Sequence, residues 1–140
     1  MRLFTIGYQQ TTMAEFLTKL SGAGVQLLID VRAVAASRRP GFSKSTLAAS
    51  IRELGIDYVH LRTLGTPPDG RAAARAGRID ELRRIYGARL EEPEVVSALL
   101  HLGELARGRP SAIMCFCAES THCHRHMIGE RLEGAEVIDL

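Results

Sequence analysis

The residues of this chain that are best suited to chemistry lie in one stretch. The segment AIMCFCAESTHCHRHMIGERL, residues 112–132, contains every cysteine of the chain and three of its five histidines. Thiolates and imidazoles act as nucleophiles, as proton acceptors and as ligands for soft metals. Their spacing therefore predicts either a reactive thiol site or a metal site.

A thiol site requires a helix that begins near the last cysteine. We expect a helix over residues 122–132, with Ser120 or Thr121 as its N-cap. The unpaired amides and the dipole at such a start favour negative charge and lower the pKa of a thiol. Cys123 is then a candidate nucleophile, and His124 a candidate general acid or base. A small apolar filler and a core histidine are the alternative interpretations of these two residues.

A metal site would use the same segment differently. Cys115 and Cys117 alternate along a predicted strand, so their side chains share one face. With Cys123 and His122 they could form a tetrahedral zinc or iron site. The pattern has no glycine turn that would direct both strand sulfurs at one ion, and this weakens the metal interpretation.

Candidates for binding an anion follow other predicted strands. Asp30 and Arg32 point to the same side at a strand end, and Arg32 and Arg125 are suited to gripping an oxyanion in a bidentate manner. Asp30 could orient an arginine or transfer a proton. Further candidates, chosen by position, are Gly7, Tyr8 and Gln9 for substrate binding and Glu119 for catalysis.

Apolar runs and helical stripes alternate along the chain. Strands are predicted at residues 3–6, 25–31, 56–61, 112–117 and 136–140. Helices are predicted after Thr12, after Ser43, over residues 79–90, from Pro93 onward and over residues 122–132. Residues 62–77 contain strong turn signals and are predicted to form a long loop, either a binding loop or a disordered one.

This alternation predicts a single α/β domain over residues 1–140, with a mostly parallel sheet and helices on both faces. In such sheets, ligands bind outside the carboxyl ends of the strands. Nearly all the candidate residues follow a strand, so we expect them to meet at that edge.

Composition narrows the class of protein. Hydrophobic residues make up 46% of the chain, charged residues 24%, and the formal net charge is +2, as in an ordinary globular protein. There is no apolar run that would span a bilayer and no signal peptide, so we expect a cytoplasmic protein with reduced cysteines and no membrane partner. Arginine-rich segments at residues 31–45 and 61–90 favour an anionic partner. This is a phosphate- or nucleotide-bearing small molecule or, as an alternative, nucleic acid.

Five short motifs occur in a characteristic order. They are TIGYQQ (residues 5–10), DVR (30–32), SRRPGFSKSTL (37–47), IDYVHLRTLG (56–65) and Cys115 followed by CHR (123–125). In this order the sequence resembles the uncharacterised family called domain of unknown function 488. The resemblance implies that family's fold and a site at these motifs, and it implies no particular reaction. The family has histidine at the position of Tyr8 and glutamate at that of Cys117, and Glu119 is a nearby acid.

Together these observations predict a small enzyme or sensor that uses a Cys-His-Arg cleft on an anionic substrate. If the protein is an enzyme, the chemistry is that of a thiol-dependent hydrolase or transferase. A zinc- or iron-binding protein and a nucleic-acid-associated module are the alternatives.

Overall fold

The centre of the molecule is a sheet of five parallel strands, seen in a computed structural model that describes residues 1–117 and 123–140. The strands are β1 (Arg2–Gly7), β2 (Leu27–Asp30), β3 (Asp57–His60), β4 (Ser111–Cys115) and β5 (Glu136–Asp139). Their spatial order is β3-β2-β4-β1-β5. The predicted α/β class with a parallel sheet is confirmed.

Helices cover both faces of this sheet. The α-helices are α1 (Met13–Gly22), α2 (Lys44–Arg52), α3 (Pro68–Arg75), α4 (Ile79–Arg89), α5 (Pro93–Gly108) and α6 (His124–Glu130). Helices α1 and α2 contribute to the core on one face, and α4, α5 and α6 contribute to the core on the other. Among the described residues, no helix combines the length and the apolar composition that a membrane crossing requires.

The two-residue period of the strands separates the two cores. On β4, Ile113 and Cys115 face the core beneath α4–α6, while Ala112 and Met114 face the core beneath α1 and α2. Both faces of a central strand are therefore apolar, which is the pattern of a parallel sheet covered on two sides. Because Cys115 lies on the α4–α6 face, its sulfur meets α6 directly.

Several predicted strands are shorter in the structure. The strands predicted at 25–31, 56–61 and 112–117 are shorter, because ladder pairing begins at Leu27 opposite Ser111 and ends at Asp30 opposite Met114 and His60. Thr12 caps α1 as predicted, accepting a hydrogen bond from the amide of Glu15. Ser43 occupies the predicted N-cap position of α2, but its hydroxyl does not cap the helix. It accepts a hydrogen bond from the amide of Ser37 and donates one to the carbonyl of the same residue.

The prediction of a long loop over residues 62–77 is wrong. A short 3₁₀ helix spans Arg62–Leu64, and α3 begins at Pro68. Proline is favoured at the first position of a helix, and three consecutive alanines, residues 72–74, have the highest helix propensity. The turn signal of Asp69-Gly70 is overridden because Gly70 packs closely: a Cβ there would lie 2.5 Å from Cγ2 of Thr66.

The last helix begins later than predicted. Cys123 is the N-cap of α6 with an extended backbone, and the helix ends at Glu130. The predicted caps Ser120 and Thr121 lie outside the described residues. Since Cys123 precedes the helix, the amides of its first turn belong to residues 124–126, and not to residues 122–124 as predicted.

Gly7, at the end of β1, allows the backbone after β4 to approach. A Cβ at this position would overlap the carbonyl oxygen of Cys117 and lie 3.0 Å from Nη1 of Arg125. That carbonyl accepts a hydrogen bond from the same Nη1. Gly7 is a predicted substrate-binding residue, and its lack of a side chain makes room for the backbone that holds Arg125.

Replacing Gly7 should therefore destabilise the fold. We expect Gly7→Ala to lower the free energy of unfolding by about 1–3 kcal/mol, because the added methyl overpacks a buried contact. Gly22→Ala is the matched control, since no atom lies within 4 Å of a Cβ built there, and alanine is favoured in a helix by up to about 1 kcal/mol. Urea denaturation measures both, and equal stability of the two variants would contradict this account.

Candidate functional site

A buried ion pair lies at the carboxyl end of β2. Nε of Arg32 lies 2.9 and 3.1 Å from the two carboxylate oxygens of Asp30, and Nη2 lies 2.8 Å from one of them. Asp30 is 0% exposed and Arg32 is 6% exposed. A bidentate pair with little access to water is strong and holds both side chains in one orientation. Burial by itself lowers the pKa of Arg32, but the contacts with Asp30 and Tyr8 together outweigh it and raise this pKa above its ordinary value.

The pair also connects neighbouring strand ends. Nη1 of Arg32 donates to the hydroxyl of Tyr8 after β1 (3.1 Å) and to the carbonyl of Phe42 (2.7 Å). The hydroxyl of Tyr58 on β3 donates to Asp30, and burial, followed by this contact, raises the pKa of Tyr58. Four of the five N–H hydrogens of Arg32 are thus engaged in hydrogen bonds: one on Nε, two on Nη1 and one on Nη2. Arg32 was predicted to bind substrate, and at most one of its hydrogens is left to do so.

Two histidines hold the backbone of the same segment. Nε2 of His124 lies 2.8 Å from the carbonyl oxygen of Val31, and Nε2 of His60 lies 2.7 Å from that of Arg32. A carbonyl oxygen only accepts, so each Nε2 carries a proton. In neutral His124 the other ring nitrogen, Nδ1, therefore has a free lone pair. It lies 3.5 Å from Sγ of Cys123.

His124 is neutral at physiological pH. Burial lowers its pKa to about 4, and the positive charge of Arg125 acts in the same direction. The hydrogen bond to Val31 and the charge of Asp30 act to raise the pKa of His124, but they do not offset the effect of burial. Nδ1 can therefore accept a hydrogen bond from a reduced Cys123 thiol.

The sulfur atoms of Cys115 and Cys123 form the centre of the site, and we call these two residues the sulfur pair. Their sulfur atoms are in direct contact and their Cα atoms lie 7.7 Å apart, which is wider than a disulfide usually spans. The two residues are 2% and 4% exposed. Nη1 of Arg125 lies 2.8 Å from Sγ of Cys115. The pair is thus bordered by a cation on one side and by a neutral base, His124, on the other.

Cys117 remains a free thiol beside the sulfur pair. Burial raises its pKa, although the charge of Arg125 opposes this effect. Ligand atoms of Cys115, Cys123 and His124 lie within 4.8 Å of one another, the only such group in the part of the chain that the structure describes, and Cys117 does not belong to it. His122, the predicted fourth ligand, lies outside the described residues, as does Glu119.

A cavity of about 730 Å³ opens over this edge of the sheet. Its buried lining includes the sulfur pair and His124, and its more open lining includes Arg38, Arg71 and Arg75, which we call the arginine rim. The predicted substrate-binding residues Tyr8, Gln9 and Arg32 also line it. Arg125 is 1% exposed and lies behind the sulfurs. A second cavity, at the amino edge of the sheet, has no cysteine or histidine in its lining.

Five contributors, among them Arg38 of the arginine rim, were not singled out from the sequence. Tyr58 and His60 were noted only as part of a motif, yet they alternate along β3, so both point toward the ion pair. Arg71 and Arg75 were noted only within a basic segment. The two-residue spacing of Tyr58 and His60 at a strand end was the signal that could have identified them.

Several arginines of the basic segment at residues 61–90 form ion pairs with acids. Ion pairs join Arg78 to Glu81, Arg83 to Glu130 and Arg89 to Glu92. These pairs reduce the positive charge that α4 presents.

The fold and the site define a parallel-sheet α/β protein with a Cys-Cys-His-Arg cluster at the carboxyl edge of the sheet. The chain belongs to the family described as Domain of unknown function DUF488, whose model matches residues 12–132. The match includes the ion pair, the sulfur pair and α6, and it begins after β1. No curated protein and no solved structure matches the chain significantly.

The low pKa of His124 makes stability depend on pH. The unfolded chain protonates this histidine near pH 6.5 and the folded chain near pH 4, so the unfolded state binds more protons between these values. We therefore expect the free energy of unfolding to fall by up to about 3 kcal/mol as the pH decreases from 6.5 to 4. His124→Asn should remove this contribution, whereas His101→Asn, at an exposed position of α5, should keep it. An NMR titration of His124 with a midpoint near 6.5 would contradict the assignment.

Proposed function

We propose that this protein is a thiol-dependent enzyme, of the hydrolase or transferase class, that acts on an anionic organic substrate. The observation that carries the proposal is the position of the sulfur pair, between Arg125 and His124, at the buried end of an arginine-lined cavity. A disulfide is inert as a nucleophile, so the working form is the reduced one. A dithiol reductant supplies the two electrons and two protons and is itself oxidised to its disulfide.

Cys123 is the nucleophile in this proposal. Its thiol proton passes through Nδ1 of His124 to the leaving group as sulfur attacks an electrophilic carbon or phosphorus of the substrate. A histidine with a pKa of about 4 does not hold this proton as an imidazolium. The bond to the leaving group breaks, and the leaving group takes the proton from His124. Water or an acceptor then cleaves the bond between the substrate and Cys123. Asp30 acts as a positioning residue, because it holds the segment whose carbonyl fixes the tautomer of His124.

Cys115 has a separate role. Its sulfur accepts a hydrogen bond from Arg125, and a nearby guanidinium lowers the pKa of a thiol. If a hydroperoxide oxidises the Cys123 thiol to a sulfenic acid and is itself reduced to an alcohol, the Cys115 thiol attacks that sulfur and displaces water. The resulting disulfide protects the nucleophile from further oxidation.

The order of thiol reactivity tests this function. In the reduced native protein at pH 7, we expect iodoacetamide to alkylate Cys123 before Cys117, although Cys117 is the less buried thiol. Nδ1 of His124 lies beside Sγ of Cys123, whereas burial raises the pKa of Cys117 and Arg125 does not offset this effect. Peptide mass spectrometry over time separates the three sites. His124→Asn should slow alkylation of Cys123 by about tenfold or more and leave the rate at Cys117 unchanged. Preferential labelling of Cys117 would refute the proposal.

A metal centre is the second candidate, and a specific observation favours it. Two sulfurs and the free Nδ1 of His124 lie within 4.8 Å of one another. Metal-bound histidines typically donate their other ring hydrogen to a carbonyl, as His124 does to Val31. Three such ligands with a fourth position open suit zinc, whereas the positive charge of Arg125 beside Cys115 opposes a cation. We rank this candidate second for that reason.

Metal analysis tests the second candidate. If it is correct, protein purified without oxygen should contain about one zinc or iron per chain. Cys115→Ser and Cys123→Ser should each lose the metal, and Cys117→Ser, the matched control, should retain it. Metal-free protein whose thermal stability does not change when zinc is added would rule the metal centre out.

A further inference from the structure

The cations nearest the sulfur pair are not presented to a ligand. At least four of the five hydrogens of Arg32 are engaged within the protein. Nη1 of Arg125 donates to Cys115 and to the carbonyl of Cys117, and the side chain is 1% exposed. The buried end of the cavity therefore has thiols and an imidazole, but little capacity to bind an anionic group directly.

The arginine rim offers that capacity at the open end of the same cavity. Arg38 and Arg75 are exposed and make no ion pair with a described residue. Nη1 of Arg71 donates to the carbonyl of Thr66 (3.0 Å), which holds this side chain against the cavity wall. The close packing of Gly70 on Thr66 places α3, and with it Arg71 and Arg75, at the rim.

Apolar groups line the same cavity. Val34 and Phe116 are 59% and 46% exposed, and both are in its lining together with Leu82 and Ala74. Exposed apolar side chains around a concave site commonly contact the apolar part of a ligand. Burial of this surface would contribute roughly 25 cal/mol for each Å².

We infer that the arginine rim is the anion-recognition element, and that the substrate carries its anionic group on an apolar body that separates it from the reacting group. The ligand class is an amphipathic organic anion, such as an aryl or alkyl phosphate or carboxylate, and not inorganic phosphate. Binding of the anionic group at the rim then helps to orient the reacting group at the sulfur pair, although the two groups are separated. This inference rests on the proposed function, because it takes the sulfur pair as the reacting end of the cavity.

Two aromatic disulfide reagents test this inference. Dithiobis(nitrobenzoate) carries a carboxylate on each ring, and dithiodipyridine is neutral. With Cys117→Ser as the background, one thiolate of the reduced sulfur pair attacks the reagent's disulfide and releases one aromatic thiolate. The second protein thiol, after losing its proton, displaces the other and re-forms the Cys115–Cys123 disulfide. Both releases are followed by absorbance.

Charge at the rim should change only the reaction with the anionic reagent. We expect Arg38→Gln and Arg75→Gln each to slow dithiobis(nitrobenzoate) by about 2-fold to 5-fold, the range for a partly exposed charge contact, and together by about tenfold. The rate with dithiodipyridine should not change. Arg84→Gln, which removes the same charge at an exposed position of α4 outside the cavity, should leave both rates unchanged. The effect should also shrink at high salt.

Protection experiments test the apolar body. Phenyl phosphate should slow the reaction with dithiodipyridine more than inorganic phosphate does at equal concentration, and the Arg38→Gln, Arg75→Gln double variant should lose this difference.

The outcomes separate the two proposals. If both reagents react with the sulfur pair but the rim variants affect neither or both equally, the inference about the rim is wrong and the thiol function stands. Equal protection by the two phosphates would also overturn the inference. If neither reagent reacts with the native reduced sulfur pair, the cavity does not lead to the thiols, and both proposals fail.

Discussion

The ion pair between Asp30 and Arg32 is the interaction on which the functional edge of the sheet depends. Two charges are almost wholly removed from water, and loss of one partner from such a pair typically costs about 3–5 kcal/mol because the other is left uncompensated. The remaining donors of Arg32 bind Tyr8 after β1 and the carbonyl of Phe42 before α2, and Asp30 binds Tyr58 on β3. One buried pair thereby fixes three strand ends relative to one another.

The chemistry of the sulfur pair is coupled to this ion pair through the backbone. The carbonyl of Val31, between the two charged residues, accepts a hydrogen bond from His124 and determines which ring nitrogen faces Cys123. On the opposite side, Gly7 lets the carbonyl of Cys117 reach Arg125, which contacts Cys115. Each sulfur thus has a polar partner held by a different strand end. The thiol and metal candidates share this arrangement, because both need a neutral His124 with Nδ1 free.

Positive charge in the cavity is divided between structural and accessible arginines. Arg32 and Arg125 are buried and hydrogen-bonded within the protein, whereas Arg38 and Arg75 are exposed. The sequence assigned anion binding to the first two because they lie at a predicted strand end and at the start of the last predicted helix. It interpreted the segment that holds Arg75 as a loop, since Asp69-Gly70 is a local turn signal. The helix forms because Pro68 and the following alanines favour it and because Gly70 fits closely against Thr66.

The sequence by itself determined the α/β class, the approximate positions of the strands and of every α-helix except α3, and the edge at which Cys115, Cys123, His124 and the ion pair meet. These properties follow from local periodicity and from the rule that parallel strands present their carboxyl ends together. Only the tertiary structure decided that the sulfurs of Cys115 and Cys123 pair, which nitrogen of His124 faces them and which arginines remain accessible. Those outcomes depend on distances between residues on different strands and helices, and on which hydrogen-bond donors are already used within the fold, and neither quantity is encoded in local sequence patterns.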